Sequence, residues 1–229
     1  MTVEVLGLDG DDTLWRNEEY FADTQRAFRA LLASYVGDDI DLDDRMNATE
    51  RANLELFGYG VKGFTLSLIE TAIEASGGRI AAADVQQLLD LGKALLRRPV
   101  ALLEGVAETV PVLAEEYRLI VITKGDLWNQ EQKLAGSGLA ELMWRIEIVA
   151  EKDPATYKRI LGQYDIDPAC FVMVGNSVRS DILPVLELGA RAVHIPQEHT
   201  WVQELAEHDG SVPTLESILD LPAWLAVNG

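Results

Sequence analysis

Five short apolar runs rich in Val and Ile place the strongest constraint on the fold of this chain. They are nearly continuous in apolar character and do not alternate with polar residues, which is typical of strands covered on both faces. Strands of this kind belong to parallel sheets. The five runs occupy residues 3–8, 119–123, 145–149, 171–175 and 191–195.

Helical patterns fill the gaps between the later runs, over residues 106–117, 154–164 and 182–188. In the first of them Val106, Val110 and Leu113 fall on one face of a helix. Strand alternating with helix predicts an α/β, doubly wound (Rossmann-like) fold with a parallel sheet. Ligands of such folds bind at the carboxyl ends of the strands.

Residues 17–99 interrupt this alternation, because the whole stretch has helical patterns. Helices are expected over 20–35, 44–56, 64–76 and 83–96, with Thr65 and Asp84 as helix starts. The simplest interpretation is an all-helical cap subdomain inserted after the first strand. The predicted division is therefore 1–16 with 100–229 as the α/β core and 17–99 as the helical cap.

The acidic composition limits the partners that the chain can bind. It has 38 acidic against 19 basic residues, a formal net charge of −19. Binding to nucleic acid or to an anionic membrane needs clustered Lys and Arg, so neither partner is expected. An anionic small molecule would have to be met by local positive charge or by a bound cation.

The single cysteine and the N-terminal sequence suggest a cytoplasmic protein. Cys170 cannot form an internal disulfide and lies in an apolar run, as expected of a small core residue. No basic stretch followed by an apolar stretch opens the sequence, and no apolar run approaches the roughly 18 residues of a membrane span. We therefore expect neither a signal peptide nor a membrane anchor.

Two aspartates directly follow the first apolar run. Asp9 and Asp11 are separated by Gly10, and a turn here brings both carboxylates to the same strand end. Two anions this close in a cleft need a proton or a divalent cation between them, and Mg²⁺ prefers such oxygen ligands. Taken alone, the segment is also compatible with a solvated acidic turn.

The next two strand ends offer a hydroxyl group and cations. Thr123 ends the second run and is followed by Lys124 and Gly125, whose backbone N–H groups are candidates for binding phosphate oxygens. Lys152 follows the third run and could steady both a nucleophile and a phosphate. An ordinary turn and an exposed lysine are the alternatives at these two places.

The fourth run ends in a glycine-containing loop with further oxygen ligands. Asn176 and Asp181 are candidates to bind a metal or to hold its ligands in place. A glycine turn followed by a helix N-cap is the alternative interpretation.

Together, these four strand ends resemble the four motifs of the haloacid dehalogenase (HAD)-like hydrolase superfamily, in the same order along nearly the whole chain. The resemblance implies that Asp9 is a nucleophile that forms an aspartyl-phosphate. It implies that Asp11 is the acid for the leaving oxygen and then the base for the attacking water. Thr123 and Lys152 would bind the transferring phosphoryl group.

The resemblance also implies that Mg²⁺ is the cofactor. Asp9, the backbone carbonyl of Asp11 and the loop carrying Asn176 and Asp181 would hold the ion. The fourth motif usually has an aspartate directly after its glycine, where this chain has Asn176. An amide offers a carbonyl oxygen but no charge, so we expect weaker metal binding than is usual in the family.

Asp11 favours a phosphatase over a dehalogenase, because a departing halide needs no proton and the family's dehalogenases lack an acid at this position. The predicted function is hydrolysis of a small phosphorylated metabolite by a Mg²⁺-dependent phosphatase. Two alternatives are a phosphomutase or pyrophosphatase with the same chemistry, and a non-catalytic, metabolite-binding protein of the same fold.

A glycine-rich turn between two predicted cap helices holds the candidates for substrate selection. In the family that the chain resembles, cap residues select the substrate, and Tyr59 and Lys62 are the candidates here. Lys62 is a cation in a cap that is acidic overall, which favours an anionic substrate. A solvated linker turn is the alternative.

Overall fold

The computed structural model describes residues 2–37, 40–198, 201–204, 206, 210 and 212–229. Within them, five strands form one parallel sheet with the order β3-β2-β1-β4-β5. This confirms the predicted doubly wound α/β core. The strands are β1 (Val5–Leu8), β2 (Arg118–Lys124), β3 (Arg145–Val149), β4 (Phe171–Gly175) and β5 (Arg191–His194).

The central strand β1 pairs with β2 on one side and with β4 on the other. Leu8, its last residue, is in register with Val121 of β2 and Val174 of β4. The chain therefore builds the sheet outward from β1 in two directions, which places a topological switch point at its carboxyl end. In open α/β sheets this is where ligands bind.

The sheet is covered on both faces, as its apolar strands predict. All residues of β1 and β4 are buried. Gly7 in β1 has no room for a side chain, since a Cβ atom there would lie 2.5 Å from Cζ of Phe171. One face packs against a core that includes Val110 and Leu221, and the other against a core that includes Tyr157 and Ile160.

The helices match most of the expected segments, with two differences. The third cap helix begins at Val61, so the prediction that Thr65 starts it is wrong; the Thr65 hydroxyl donates to the Val61 carbonyl at 2.7 Å inside the helix. Two further helices, Leu127–Ser137 and Leu221–Asn228, were not predicted. The helices are α1 (Glu18–Leu32), α2 (Leu42–Phe57), α3 (Val61–Ala75), α4 (Ala82–Leu96), α5 (Val106–Glu116), α6 (Leu127–Ser137), α7 (Pro154–Gln163), α8 (Leu183–Leu186) and α9 (Leu221–Asn228).

The chain divides into two compact units. The first comprises Met1–Glu18 and Val100–Gly229 and contains the sheet. The second, Glu19–Pro99, is helical and has its own apolar core around Phe28, Met46 and Leu68. Among the described residues, every helix is too short or too polar to cross a membrane.

Candidate active site

A buried lysine joins two aspartates from different strand ends. Lys152, which follows β3, donates through Nζ to Oδ1 of Asp9 and, at 2.7 Å, to Oδ1 of Asp181. Asp9 follows β1 directly, and Asp181 lies in a π-helical turn, Val178–Ile182, after β4. All three side chains are buried. The candidate site thus forms where β1, β3 and β4 end.

Burial and the neighbouring charges shift the pKa values of Asp9 and Lys152. Burial raises the pKa of Asp9 to about 7, although Lys152 acts in the opposite direction. Burial also disfavours the ammonium group of Lys152, yet Asp181 and Asp9 together hold its pKa well above the ordinary value. Lys152 therefore remains a cation and offsets the negative charge of the Asp9 carboxylate.

The second oxygen of Asp9 faces Thr13 and Asn176. Thr13 Oγ1 donates to Asp9 Oδ2 at 3.1 Å and accepts from the backbone N–H of Asn176 at 3.1 Å. One terminal amide atom of Asn176 lies 3.2 Å from Asp9 Oδ2 and 3.3 Å from the carbonyl oxygen of Asp11. A nitrogen at this position donates to both oxygens, whereas an oxygen would make a cluster of three acceptors.

These three groups fit a hard divalent cation. With its oxygen directed inward, Asn176 completes a set of one carboxylate, one backbone carbonyl and one amide oxygen at the end of β1. Ligands of this mixture suit Mg²⁺, which is usually held by few protein oxygens and several waters. Across the described part of the chain, no three Asp, Glu, His or Cys side chains gather as a metal site. The set that fits Mg²⁺ is the Asp9 carboxylate, the Asp11 backbone carbonyl and the Asn176 amide oxygen.

Asp181, also predicted as a metal ligand, uses both carboxylate oxygens within the protein. Oδ1 accepts from Lys152 Nζ at 2.7 Å, and Oδ2 accepts from the Ser177 N–H at 3.0 Å. Asp181 packs closely against the backbone of Gly175, where a Cβ atom would lie 2.2 Å from Asp181 Oδ2. Asp181 thus holds Lys152 and the loop in place, and its part in metal binding stays a prediction.

The side chain of Asp11 is bound by three nitrogen donors. Trp15 Nε1 and Lys133 Nζ donate to Oδ1 at 2.6 and 2.7 Å, and Gln130 Nε2 donates to Oδ2 at 2.8 Å. The carboxylate remains partly exposed, at 23% of its side-chain surface. Asp11 is therefore accessible while its orientation is set by its neighbours.

The predicted phosphate-binding loop lies next to the turn that carries the aspartates. Thr123 is buried, and its hydroxyl would lie 3.2 Å from a Cβ atom on Gly10. Gly125 has a φ of 136°, in the left-handed region that favours glycine. Lys124, in contrast, points its ammonium group at protein partners: it pairs with Glu204, with Glu151 at 3.3 Å, and with the Ser180 hydroxyl at 2.9 Å.

Glu204 ties the loops after β2 and β4 together. Its carboxylate pairs with Lys124 and accepts from the hydroxyls of Ser177, at 2.5 Å, and Ser180. Burial acts to raise the pKa of Glu204, but Lys124 and the two hydroxyls outweigh it and hold the pKa below the usual range. Glu204 therefore stabilises the loops as an anion.

The predicted substrate-selecting residues belong to the second unit. Tyr59 is half-buried in the turn before α3, and Lys62 is exposed in the first turn of that helix. Their contact with a substrate stays a prediction.

Thr13, Gln130, Lys133 and Glu204 contribute to the site but were not among the predicted residues. The sequence could have indicated Gln130 and Lys133, because they are three residues apart on one face of a helix that follows the N-cap Asp126. It could not have indicated Glu204, which is one of many acidic residues and whose partners are distant in sequence.

Comparison with known proteins supports the assignment of the fold. No protein-family model matches the sequence, nor does any curated protein. The structure of a HAD-like family hydrolase from Xanthomonas campestris is 42% identical, with a TM-score of 0.87, and the match covers 99% of this chain and 91% of that one.

Two solved structures at low identity share the fold. A predicted phosphoglycolate phosphatase from Haemophilus somnus 129PT is 16% identical (TM-score 0.66; 98% of each chain covered). L-2-haloacid dehalogenase from Xanthobacter autotrophicus, with chloropropionic acid covalently bound, is 14% identical (TM-score 0.66; 98% of this chain and 99% of that one). The 42% identity over nearly the whole chain is decisive: the protein belongs to the haloacid dehalogenase-like hydrolase family.

Proposed function

We propose that the protein is a Mg²⁺-dependent phosphatase that hydrolyses a small phosphorylated metabolite through an aspartyl-phosphate. The observation that carries this proposal is the position of Asp9 at the switch point. It is a buried carboxylate with the cation Lys152 on one oxygen and a second carboxyl group, Asp11, two residues away. A nucleophile, a charge-neutralising group and a proton carrier are what phosphoryl transfer by a carboxylate needs.

In the first step, Asp9 attacks phosphorus and the bond from phosphorus to the ester oxygen breaks. Asp11 supplies the proton that the departing oxygen takes up. In the second step, Asp11 takes a proton from water as the water oxygen attacks phosphorus, and the bond to Asp9 breaks. Lys152 orients Asp9 through the contact of Nζ with Oδ1 and offsets the negative charge of the phosphoryl oxygens.

Asp9, the carbonyl of Asp11 and Asn176 are the groups that would hold Mg²⁺. When bound, the cation neutralises phosphate charge in a chain whose net charge is −19. Thr13 fixes the orientation of the Asp9 carboxylate from the same side through its bond to Oδ2.

The carboxylate of Asp11, whose orientation is set by three donors, favours a phosphatase over a dehalogenase. A halide leaves carbon without a proton, so a dehalogenase has no use for an acid here. In this protein three donors hold Asp11 in one orientation while part of its surface stays accessible. Tyr59 and Lys62 are proposed, on the family resemblance, to select an anionic substrate.

The proposal is tested by measuring phosphate release from a panel of phosphorylated metabolites with Mg²⁺, and halide release from 2-haloacids in parallel. Asp9→Asn is the control, and acid-quenched samples are examined for a phosphorylated Asp9. Phosphate release that disappears in Asp9→Asn, with phosphate on Asp9 of the wild type, is the expected result. Activity that survives in Asp9→Asn, or halide release in place of phosphate release, would overturn the proposal.

A further inference from the structure

The three donors on Asp11 come from two different parts of the fold. Trp15 is on the same loop, four residues later, whereas Gln130 and Lys133 come from α6 and lie 119 and 122 residues from Asp11 in sequence. A carboxylate on a loop has two freely rotating side-chain torsions. Donors on both oxygens, approaching from two elements, restrict both torsions.

The two α6 side chains are themselves anchored at a second point. Gln130 Nε2 also donates to the carbonyl oxygen of Lys124 at 2.8 Å, and Lys133 Nζ donates to Asn17 Oδ1 at 2.8 Å. Both side chains lie on one face of α6, whose first turn is capped by Asp126 through the Asn129 N–H at 3.1 Å. These second contacts restrict the orientation of Gln130 and Lys133 independently of Asp11.

We infer that Gln130 and Lys133 are positioning residues that hold the Asp11 carboxyl group in its proton-transfer orientation. The inference rests on the proposed function, in which Asp11 carries the proton. Proton transfer needs the carboxyl group within hydrogen-bonding reach of the reacting oxygen, and a small misorientation lowers the rate steeply. Gln130 and Lys133 act through Asp11.

This role has a kinetic signature, because the same carboxyl group serves two steps. An alkyl phosphate needs a proton on its departing oxygen, so a misoriented Asp11 slows formation of the aspartyl-phosphate. Nitrophenolate departs without a proton, so only the attack of water on the aspartyl-phosphate is slowed. Loss of positioning should therefore make the aspartyl-phosphate accumulate with p-nitrophenyl phosphate and not with an alkyl phosphate.

The test uses Lys133→Met, which keeps the aliphatic stem of the side chain. Lys93→Met is the matched control, because Lys93 pairs with Asp90 at 3.0 Å on an exposed helix surface. With an alkyl phosphate we expect kcat to fall on the order of 10- to 100-fold in Lys133→Met with KM within about twofold, because both steps are slowed. With p-nitrophenyl phosphate, aspartyl-phosphate should accumulate and KM should fall together with kcat, because breakdown of the aspartyl-phosphate then limits turnover. Lys93→Met should match the wild type.

A double-mutant cycle separates positioning from a general structural effect. In an Asp11→Asn background, Lys133→Met should cause no further loss of kcat, because its target has been removed. An equal loss in both backgrounds, or an unchanged kcat in the single variant, would overturn the inference.

The Trp15 indole provides a readout that does not depend on activity. Its Nε1–H donates to Asp11 Oδ1 at 2.6 Å, so its NMR signal reports the position of the carboxylate. The signal that moves in Asp11→Asn should also shift or broaden in Lys133→Met and stay in place in Lys93→Met. An unmoved signal in Lys133→Met refutes the positioning role, whereas a wild type that releases no phosphate refutes the proposed function.

Discussion

Replacing Lys152 by Met should destabilise the protein strongly, because it removes the one charge that Asp9 and Asp181 share. All three side chains are buried, and Nζ contacts a carboxylate oxygen of each aspartate. Breaking a buried ion pair by removing one partner costs roughly 3–5 kcal/mol. With about 2–4 °C per kcal/mol for a chain of this size, Tm should fall by about 6–20 °C.

The stability lost in Lys152→Met should depend on pH, and the raised pKa of Asp9 determines that the loss grows as pH rises. Burial already raises its pKa to about 7, and Lys152 opposes that rise. Without Lys152 the pKa of Asp9 rises further above its value in the unfolded chain. A carboxyl group whose pKa is raised by folding destabilises the folded protein increasingly as pH rises from the pKa of the unfolded chain towards the pKa of the folded protein. Lys152→Met should therefore be closest to the wild type near pH 5 and furthest from it near pH 8.

Calorimetry at several pH values measures this effect. Lys93→Met serves as the control, because its pair with Asp90 is exposed to solvent and should contribute little to stability. Adding Asp9→Asn to Lys152→Met should recover part of the lost stability, since one uncompensated charge disappears. A Lys152→Met protein with the Tm of the wild type at pH 8 would refute the electrostatic reasoning.

Four other outcomes can be checked directly. Gly7→Ala should lower the free energy of unfolding by about 1–3 kcal/mol in urea, because its Cβ would lie 2.5 Å from Phe171 and 2.7 Å from Met173; unchanged stability would contradict this packing. Glu204 has a lowered pKa, so its stabilisation is present above its ordinary value of 4.5 and lost as pH falls below it. Glu204→Gln should therefore melt below the wild type at pH 7 and approach it at pH 3; a constant difference would count against the Lys124 pair. Removing divalent cations with EDTA should abolish phosphate release and Mg²⁺ should restore it; full activity in EDTA would argue against a metal. Lys62→Ala should raise KM for the true substrate with kcat unchanged, and an unaltered KM would remove Lys62 from the substrate contacts.

The strands and most helices could be predicted because their signal is local. The four residues of β1 and the five of β4 are all buried, which demands uninterrupted apolar sequence. Helix α6 escaped prediction because its buried face carries Asn129 and Gln130 beside Leu134. A search for apolar periodicity does not detect a helix that buries polar side chains.

The sequence alone identified Asp9, Asp11, Thr123 and Lys152 as residues at strand ends. Parallel strands bring their carboxyl ends to one edge of the sheet, so position along the chain is enough to bring these residues together. The order of the motifs also indicated the family, which the 42% identity to a solved hydrolase confirmed.

Only the tertiary structure decided which side chains are partners. Lys152 was expected to steady the nucleophile from its position at a strand end, but its second contact, with Asp181, could not be read from spacing. The same holds for Lys133, which is 122 residues from Asp11. These pairings depend on side-chain direction and burial, which arise only when distant elements pack, whereas strands and turns depend on neighbouring residues.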